Sequence, residues 1–211
     1  MSPPRIAVVY YSATGNVHAM AQAVAEGARE HGAEVRVRRV AETAPREAIA
    51  QNPRWTAHAE AMRDEPLATT DDLVWADGIA LGSPTRFGAP SAQLKQFIDQ
   101  TGGLWARGLL QDKAATSFTS ASTQHGGLES TLLAINNVLY HWGAIVVPLG
   151  YSAPIVKETG NPYGASWVSR RSAAPDDATL AAARHQGTRL ALVAAALADA
   201  NVAGRDAAER A

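Results

Sequence analysis

The first twenty residues place a short polar loop between an apolar run and a helical pattern. Residues 6–11 read I-A-V-V-Y-Y, residues 12–16 read S-A-T-G-N, and apolar positions at helical spacing follow directly. An uninterrupted apolar run is typical of a strand buried on both faces, as in the parallel sheet of an α/β domain. In such a domain the loop presents backbone N–H groups and the positive end of a helix dipole to one point. The sequence therefore predicts an anion site, and because the loop contains no Lys or Arg, we expect neutral hydrogen bonds to hold the anion.

Two common phosphate motifs are absent from this loop. Neither the G-x-x-x-x-G-K-[ST] pattern of nucleoside triphosphatases nor the G-x-G-x-x-G pattern of dinucleotide-binding domains occurs there. An ordinary strand-to-helix turn, with Ser12 or Asn16 as the helix cap, remains an alternative interpretation of the loop alone.

The composition favours a single α/β domain whose redox chemistry would belong to a bound group. The 211 residues are 46% apolar, carry a formal net charge of −1 and include no cysteine. The lack of cysteine excludes disulfides, thiolate nucleophiles and iron–sulfur clusters. The near-zero charge gives no field that would attract nucleic acid. The chain has no long apolar run and few residues before the first predicted strand. We therefore expect a cytoplasmic protein without an integral membrane segment.

Strand and helix patterns alternate along the chain, as in a doubly wound parallel sheet. We expect one domain over residues 1–198, with irregular excursions at 41–70 and 150–174 and a disordered tail at 199–211. The excursions lack clear periodicity and contain turn-forming residues. Five strands are predicted, at about residues 6–11, 35–38, 77–83, 114–119 and 145–148.

Polar or glycine-rich loops follow the first, third and fourth of these strands. They cover residues 12–17, 84–88 and 120–127. Ligands of open parallel sheets bind beyond the carboxyl ends of the strands. We therefore expect the three loops to form one site.

Several longer motifs carry a resemblance to a known family. Residues 82–88 read G-S-P-T-R-F-G and residues 99–105 read D-Q-T-G-G-L-W. V-Y-Y-S at 9–12, H-W-G at 141–143, P-Y-G-A at 162–165 and A-R-H-Q-G at 183–187 continue the match. With these motifs the sequence resembles the WrbA-type NAD(P)H:quinone oxidoreductases over nearly its whole length.

The resemblance implies a fold, a cofactor and a reaction. The fold would be a flavodoxin-like three-layer α/β sandwich with a five-stranded parallel sheet of order 2-1-3-4-5. Each subunit would bind one FMN without a covalent bond, and a homotetramer would form. NADH or NADPH would reduce the FMN, and the FMN would pass two electrons to a quinone in a ping-pong cycle.

The resemblance also assigns residues to the site. Loop 12–17 would hold the phosphate, the two later loops would contact the flavin ring, and the space over the ring would be lined by Trp105 and His141, taken as catalytic. The implied cofactor-binding residues are Ser12, Ala13, Thr14, Gly15, Asn16, Val17, Pro84, Thr85, Arg86, Phe87, Gly88, Ser120, Ala121, Gly126 and His141. The chain departs from the family at Thr14, where an aromatic residue is common, and at Asn16, where histidine is common.

Each catalytic assignment has a structural alternative. His141 would orient or protonate the quinone oxygen, since imidazole titrates near neutral pH. It could instead be a histidine at a helix C-terminus that donates to carbonyl groups. Trp105 beside two glycines could serve packing or a subunit interface, and both uses can coexist if subunits build the pocket together.

Two other functions remain open at this stage. A flavodoxin-type carrier of single electrons is one, although such carriers tend to be strongly acidic and this chain is not. A regulatory flavoprotein that binds a protein partner through its excursions is the other. Histidines and carboxylates lack the spacing of metal ligands, so no metal site is expected.

Overall fold

A computed structural model of the chain describes residues 2–170 and 173–208. Within these residues one sheet contains seven strands, which we number along the chain. They are β1 (Arg5–Tyr10), β2 (Glu34–Arg39), β3 (Gly78–Arg86), β4 (Ala89–Pro90), β5 (Ala114–Ala121), β6 (Ile145–Val146) and β7 (Ser166–Val168).

Helices occupy the connections between the strands. They are α1 (Asn16–Glu30), α2 (Arg46–Ala50), α3 (Pro53–Ala61), α4 (Thr70–Trp75), α5 (Ala92–Asp99), α6 (Gly102–Ala106), α7 (Leu128–His141), α8 (Pro154–Thr159) and α9 (Asp177–Ala208). No helix among residues 2–170 and 173–208 has both the length and the apolar composition needed to cross a bilayer.

Five strands run in the order β2-β1-β3-β5-β6, and their pairings are parallel. Counted among themselves, these five follow the expected order, which supports the flavodoxin-like α/β fold. The expectation of only five strands was wrong, because β4 pairs antiparallel with β3 and β7 pairs with the end of β5. The last of the five is also shorter than expected and ends at Val146.

The predicted loop at residues 84–88 contains strand residues because it forms a hairpin between β3 and β4. Its two turn residues, Phe87 and Gly88, have φ angles of 51° and 78°. Two successive positive φ angles are the feature of a type I′ turn, whose twist matches that of the flanking strands. Strand pairing therefore continues three residues beyond the expected end at Ser83, to Arg86.

The sheet separates two apolar cores, as alternation along β1 requires. Ile6, Val8 and Tyr10 pack with α1 and α9 on one face, whereas Ala7 and Val9 pack with α4, α5 and α7 on the other. Successive side chains of a strand point to opposite faces, so a strand between two helical layers is apolar at every position. The result is a three-layer sandwich.

Helices α1 and α9 touch backbone to backbone at two glycines. A methyl group at Gly27 would lie 1.9 Å from the carbonyl oxygen of Arg184, and one at Gly187 would lie 1.9 Å from that of Val24. Only glycine leaves room for this crossing.

About half of the excursion at 41–70 is helical, in contrast to the expectation. It contains α2 and α3, and two of its three prolines, Pro45 and Pro53, which suggested loop structure, stand at helix starts. Pro45 precedes α2, and Pro53 is the first residue of α3, after the cap Asn52. Proline at such positions lacks only an N–H that the first turn leaves unbonded.

The second excursion and the C-terminus also differ from the expectation. The stretch 150–174 includes α8 and β7, and α9 continues past the expected end near Leu197 to Ala208. Residues 209–211 of the expected tail lie outside the described residues, as do residues 171 and 172. The single-domain division at 1–198 stays a prediction.

Candidate functional site

The carboxyl ends of β1, β3 and β5 meet beside one cavity. Tyr10 pairs with Gly82, and Pro84 pairs with Ser120, so the loops after these strands are neighbours. The cavity has a volume of about 200 Å³. It is lined by Ser12, Ala13, Thr14, Asn16, Val17, Asn52, Arg54, Pro84, Thr85, Arg86, Ser120, Ala121, Ser122 and Ser169.

The loop after β1 has the geometry of an anion cradle. Gly15 stands just before α1 with a φ of 97°, a conformation that disfavours any side chain. Its N–H donates to Ser12 Oγ at 3.1 Å, which fixes the turn. The N–H groups in the first turn of α1 have no intrahelical acceptors, and the helix dipole adds partial positive charge there.

Two threonine hydroxyls connect the loop at 84–88 to the end of the strand that leads into the loop at 120–127. Thr119 Oγ1 donates to the carbonyl oxygen of Ser83 at 2.7 Å and lies 3.2 Å from Thr85 Oγ1. Both threonines lie near the carboxyl ends of their strands, β3 and β5. The hydroxyls therefore hold the P-T-R-F-G hairpin against the end of β5.

The same two loops also approach through glycines. A methyl group at Gly127, whose φ is 93°, would lie 2.7 Å from Gly88 Cα. This contact brings the tip of the hairpin onto the end of the loop that follows β5.

The described lining of the cavity is positively charged. Two of the described residues that line it are charged, Arg54 and Arg86, and both are cations. Arg86 was expected from the sequence, whereas Arg54 and its neighbour Asn52 come from α3 and were missed. Neutral hydrogen bonds to the anion stay a prediction, and the structure adds a guanidinium beside the loop that the prediction did not include.

Residues 4–156 match the family described as NADPH-dependent FMN reductase. Relatives named NAD(P)H dehydrogenase (quinone) align over most of the chain. The protein from Deinococcus radiodurans is 48% identical over 166 residues, which cover 78% of this chain and 83% of the relative. The one from Methylocella silvestris is 46% identical over 200 residues, which cover 92% and 98%. The chain belongs to this FMN reductase family.

Solved structures agree with the assignment to the FMN reductase family. A WrbA-like flavodoxin from Agrobacterium tumefaciens superposes with a TM-score of 0.64 at 28% identity, covering 90% of this chain and 97% of that one. A flavodoxin from the domain Archaea, at 21% identity and a TM-score of 0.59, covers 90% of this chain and 98% of its own and supports the fold alone. The resemblance to the WrbA-type family is confirmed.

The cavity of this FMN reductase family member fits FMN by its own chemistry. A glycine turn and a helix N-terminus face one end, and two further loops border the rest. Among the described residues that line it are two arginines and no carboxylate. A dianionic phosphate and a polar flavin ring match such a lining.

The structure brings ten of the expected FMN-binding residues to the cavity wall. They are Ser12, Ala13, Thr14, Asn16, Val17, Pro84, Thr85, Arg86, Ser120 and Ala121. Gly15 shapes the first loop, whereas Phe87, Gly88 and Gly126 lie in the hairpin and the third loop without lining the cavity. Ser122, which belongs to the expected loop at 120–127, also lines it, as does Ser169, which no sequence signal singled out.

The two expected catalytic residues lie elsewhere in this chain. His141 is the last residue of α7, and the next strand begins at Ile145, which pairs with Ala114 at the start of β5. The cavity adjoins the other end of β5, about 20 Å away at the rise of a strand. Trp105, in α6, lies between α5 and the start of β5 and is 57% exposed.

A half-buried carboxylate anchors the first excursion next to the cavity. Glu42 accepts hydrogen bonds from Tyr11 Oη at 2.7 Å, Trp55 Nε1 at 2.9 Å and Gln93 Nε2 at 2.8 Å. Burial by itself raises the pKa of Glu42, but these bonds and one from the Ala44 N–H outweigh it and leave the pKa lowered. The carboxylate therefore stays charged and joins β1, α3 and α5.

A pair of histidines lies beneath the first loop. The His18 and His58 rings are 5.6 Å apart, and His18 Nδ1 is 2.6 Å from Tyr10 Oη. Burial, with the nearby charges of His18 and Arg39, lowers the pKa of His58 to about 4. Burial and the charge of Glu65 raise the pKa of Tyr10 to about 12. Burial also lowers the pKa of His18. Both imidazole rings are therefore neutral near pH 7.

Within residues 2–170 and 173–208, no group of three or more histidine or acidic side chains is arranged to hold a metal ion.

Proposed function

We propose that the protein is an NAD(P)H dehydrogenase (quinone) that uses FMN to carry two electrons from NADH or NADPH to a quinone. One observation carries the proposal: the three loops of an FMN reductase family member converge on a cavity whose described lining includes two arginines and no carboxylate. The names of relatives that are 48% and 46% identical supply the electron donor and the quinone.

In the proposed enzyme the loop at 12–17 binds the FMN phosphate. The turn at Gly15 and the first N–H groups of α1 face the phosphate oxygens. The P-T-R-F-G hairpin and the loop after Ser120 contact the ring, and the bonds between Thr85 and Thr119 keep them together. When bound, FMN supplies the two-electron transfer chemistry that the side chains lack.

Backbone groups of the third loop stabilise charge. N–H groups after Ser120 would bind the ring edge and favour negative charge there, as the donors of an oxyanion hole do. Nicotinamide and quinone would then use one site in turn, which predicts ping-pong kinetics.

We propose that His141 and Trp105 act in the site of another subunit. Within one chain they lie near the opposite edge of the sheet from the cavity. Large apolar side chains exposed in the same part of the chain, Leu109, Tyr140 and Ile145, are suited to a contact between copies. In a homotetramer such a contact would bring His141 to the quinone oxygen, where it orients the oxygen or donates a proton.

Anaerobic rapid mixing tests the function. The FMN-loaded protein is mixed with NADH or NADPH and then with benzoquinone while flavin absorbance is followed. Direct two-electron bleaching by a nicotinamide, followed by full recovery with quinone, is expected. Stepwise one-electron reduction without nicotinamide turnover would favour the single-electron carrier, and no flavin binding by the wild-type protein would refute both.

The location and partners are proposals as well. We propose a cytoplasmic enzyme whose partners are small molecules and further copies of itself. Cell fractionation with activity assays tests the location, and sedimentation velocity tests the tetramer. Tight capture of a protein partner by a catalytically inactive form would favour the regulatory alternative.

A further inference from the structure

One arginine at the cavity is contributed by the inserted helix α3. Arg54 Nη2 points to the carbonyl oxygen of Thr14 at 3.5 Å, so the guanidinium lies beside the loop at 12–17. Arg86, the other cation, extends from the hairpin, where its Nη1 donates to Thr85 O. The two charges therefore approach the cavity from different elements.

Arg54 is available to an anion. Among the ion pairs found in residues 2–170 and 173–208, none includes Arg54. A guanidinium carries five N–H donors in a planar fork, and a single long bond to a carbonyl leaves most of them unused. Such a fork matches two oxygens of a phosphate.

Helix α3 is fixed to the cavity wall by contacts on both sides of Arg54 in the sequence. Trp55 donates to Glu42, which also binds Tyr11, the residue before Ser12. One turn along, His58 lies behind Gly15, where a methyl group would be 3.6 Å from its Nδ1. Asn52 Oδ1 caps the helix by accepting from the N–H of Arg54 at 3.1 Å. Arg54 therefore stands on a positioned element rather than on a free loop.

We propose that Arg54 binds the phosphate monoester of FMN and gives this chain its preference for FMN over riboflavin. The inference rests on the proposed function, because it requires that the cavity hold a flavin. The phosphate loop itself has no cation, so α3 supplies the charge that the loop lacks.

Binding of two flavins that differ only in the phosphate tests the proposal. Apoprotein is titrated with FMN and with riboflavin, and flavin fluorescence is followed for the wild type, Arg54→Ala and Arg54→Lys. Loss of a charge-assisted hydrogen bond is expected to raise the Kd for FMN about 10- to 100-fold in Arg54→Ala. The Kd for riboflavin should stay unchanged. The FMN Kd of Arg54→Lys should lie between those of the wild type and Arg54→Ala, because lysine keeps the charge without the planar fork of donors.

Arg46→Ala is the matched control. Arg46 is an exposed arginine in the neighbouring helix α2, and its substitution by alanine removes the same charge. It should leave both Kd values unchanged. The salt dependence of FMN binding should be weaker in Arg54→Ala than in either the wild type or Arg46→Ala.

Three results would overturn the proposal. An equal loss of affinity for FMN and riboflavin in Arg54→Ala would show that Arg54 supports the pocket as a whole. No loss of affinity for FMN would show that Arg54 does not bind the phosphate. A higher KM for NADPH but not NADH, with the FMN Kd unchanged, would assign Arg54 to the 2′-phosphate of the nucleotide. Failure of the wild type to bind either flavin would instead refute the proposed function.

Discussion

Gly127 and Gly88 touch where the third loop meets the tip of the P-T-R-F-G hairpin. A methyl group at Gly127 would lie 2.7 Å from Gly88 Cα, well inside van der Waals contact. Neither backbone can move freely, because the hairpin is bonded to β5 through Thr85 and Thr119. The separation of two cavity loops is thus set by the absence of a side chain.

Gly127→Ala is therefore expected to force the two loops apart. The clash and the positive φ together should cost about 2–3 kcal/mol of stability. The Kd for FMN should rise about tenfold or more, equivalent to at least 1.4 kcal/mol. Thermal unfolding and flavin titration measure the two effects.

Gly32→Ala separates backbone strain from crowding. Gly32 has a φ of 81° and no atom within 4 Å of the added methyl group. The Gly32→Ala variant should lose a little stability and keep the FMN affinity of the wild type. If Gly127→Ala behaves in the same way as Gly32→Ala, the contact with Gly88 does not control the site.

Gly187→Ala should destabilise the fold through the crossing of α1 and α9. Alanine favours a helix over glycine by about 1 kcal/mol, yet the methyl group would enter the Val24 carbonyl at 1.9 Å. Separating the helices should cost more than the propensity gains, for a net loss of about 1–3 kcal/mol. Denaturant unfolding measures it, with Gly103→Ala as the control because space is open there. A neutral or stabilising Gly187→Ala would contradict the crossing.

Acid should weaken the region under the phosphate loop through His58. Its pKa falls from 6.5 unfolded to about 4 folded, so the unfolded chain binds more protons between these values. The stabilising contribution is complete above pH 6.5 and is lost as the pH falls toward 4. Because the ring is half exposed and screened by solvent, we expect about 1 kcal/mol, or about 2–4 °C in Tm.

His58→Gln isolates this contribution, since glutamine does not titrate. Between pH 7 and pH 4.5 the Tm of the wild type should fall further than that of the variant. His18, Arg39, Glu65 and Tyr10 surround the pair in both proteins, so their own titration largely cancels. Parallel Tm profiles would show that His58 does not contribute.

His141→Ala should slow quinone reduction without releasing FMN from the subunit that carries the substitution. We expect kcat for quinone to fall about 10²-fold if His141 transfers a proton. Mixing His141→Ala with a variant that cannot bind FMN should restore activity, because each would supply what the other lacks. Activity that never recovers in mixed tetramers, or an unchanged kcat, would contradict a role across the interface.

The patterns that predicted the fold are local ones. The apolar run at 6–11 and the turn at Gly15 dictate strand, loop and helix with little help from the rest of the chain. The parallel order then places the loops after β1, β3 and β5 at one edge, which is why ten expected residues line the cavity.

The contribution of α3 depends on contacts between distant segments and was not predictable in the same way. The position of Arg54 is set by the bond from Trp55 to Glu42 and by the bond from Tyr11 to the same carboxylate. No periodicity announces these pairings, and Pro53 suggested a break rather than a helix start. In the proposed assembly His141 and Trp105 act across a contact between subunits, which the pattern of a single chain does not describe.

The glycine crossing has a consequence for distant parts of the molecule. Helix α1 starts at the phosphate loop, and its middle is clamped to α9 at Gly27 and Gly187. The aim of the α1 dipole is therefore set by a helix more than 150 positions further along the sequence. Shortening or repacking α9 should therefore misalign the helix N-terminus that faces the FMN phosphate, although no α9 residue is among the described residues that line the cavity.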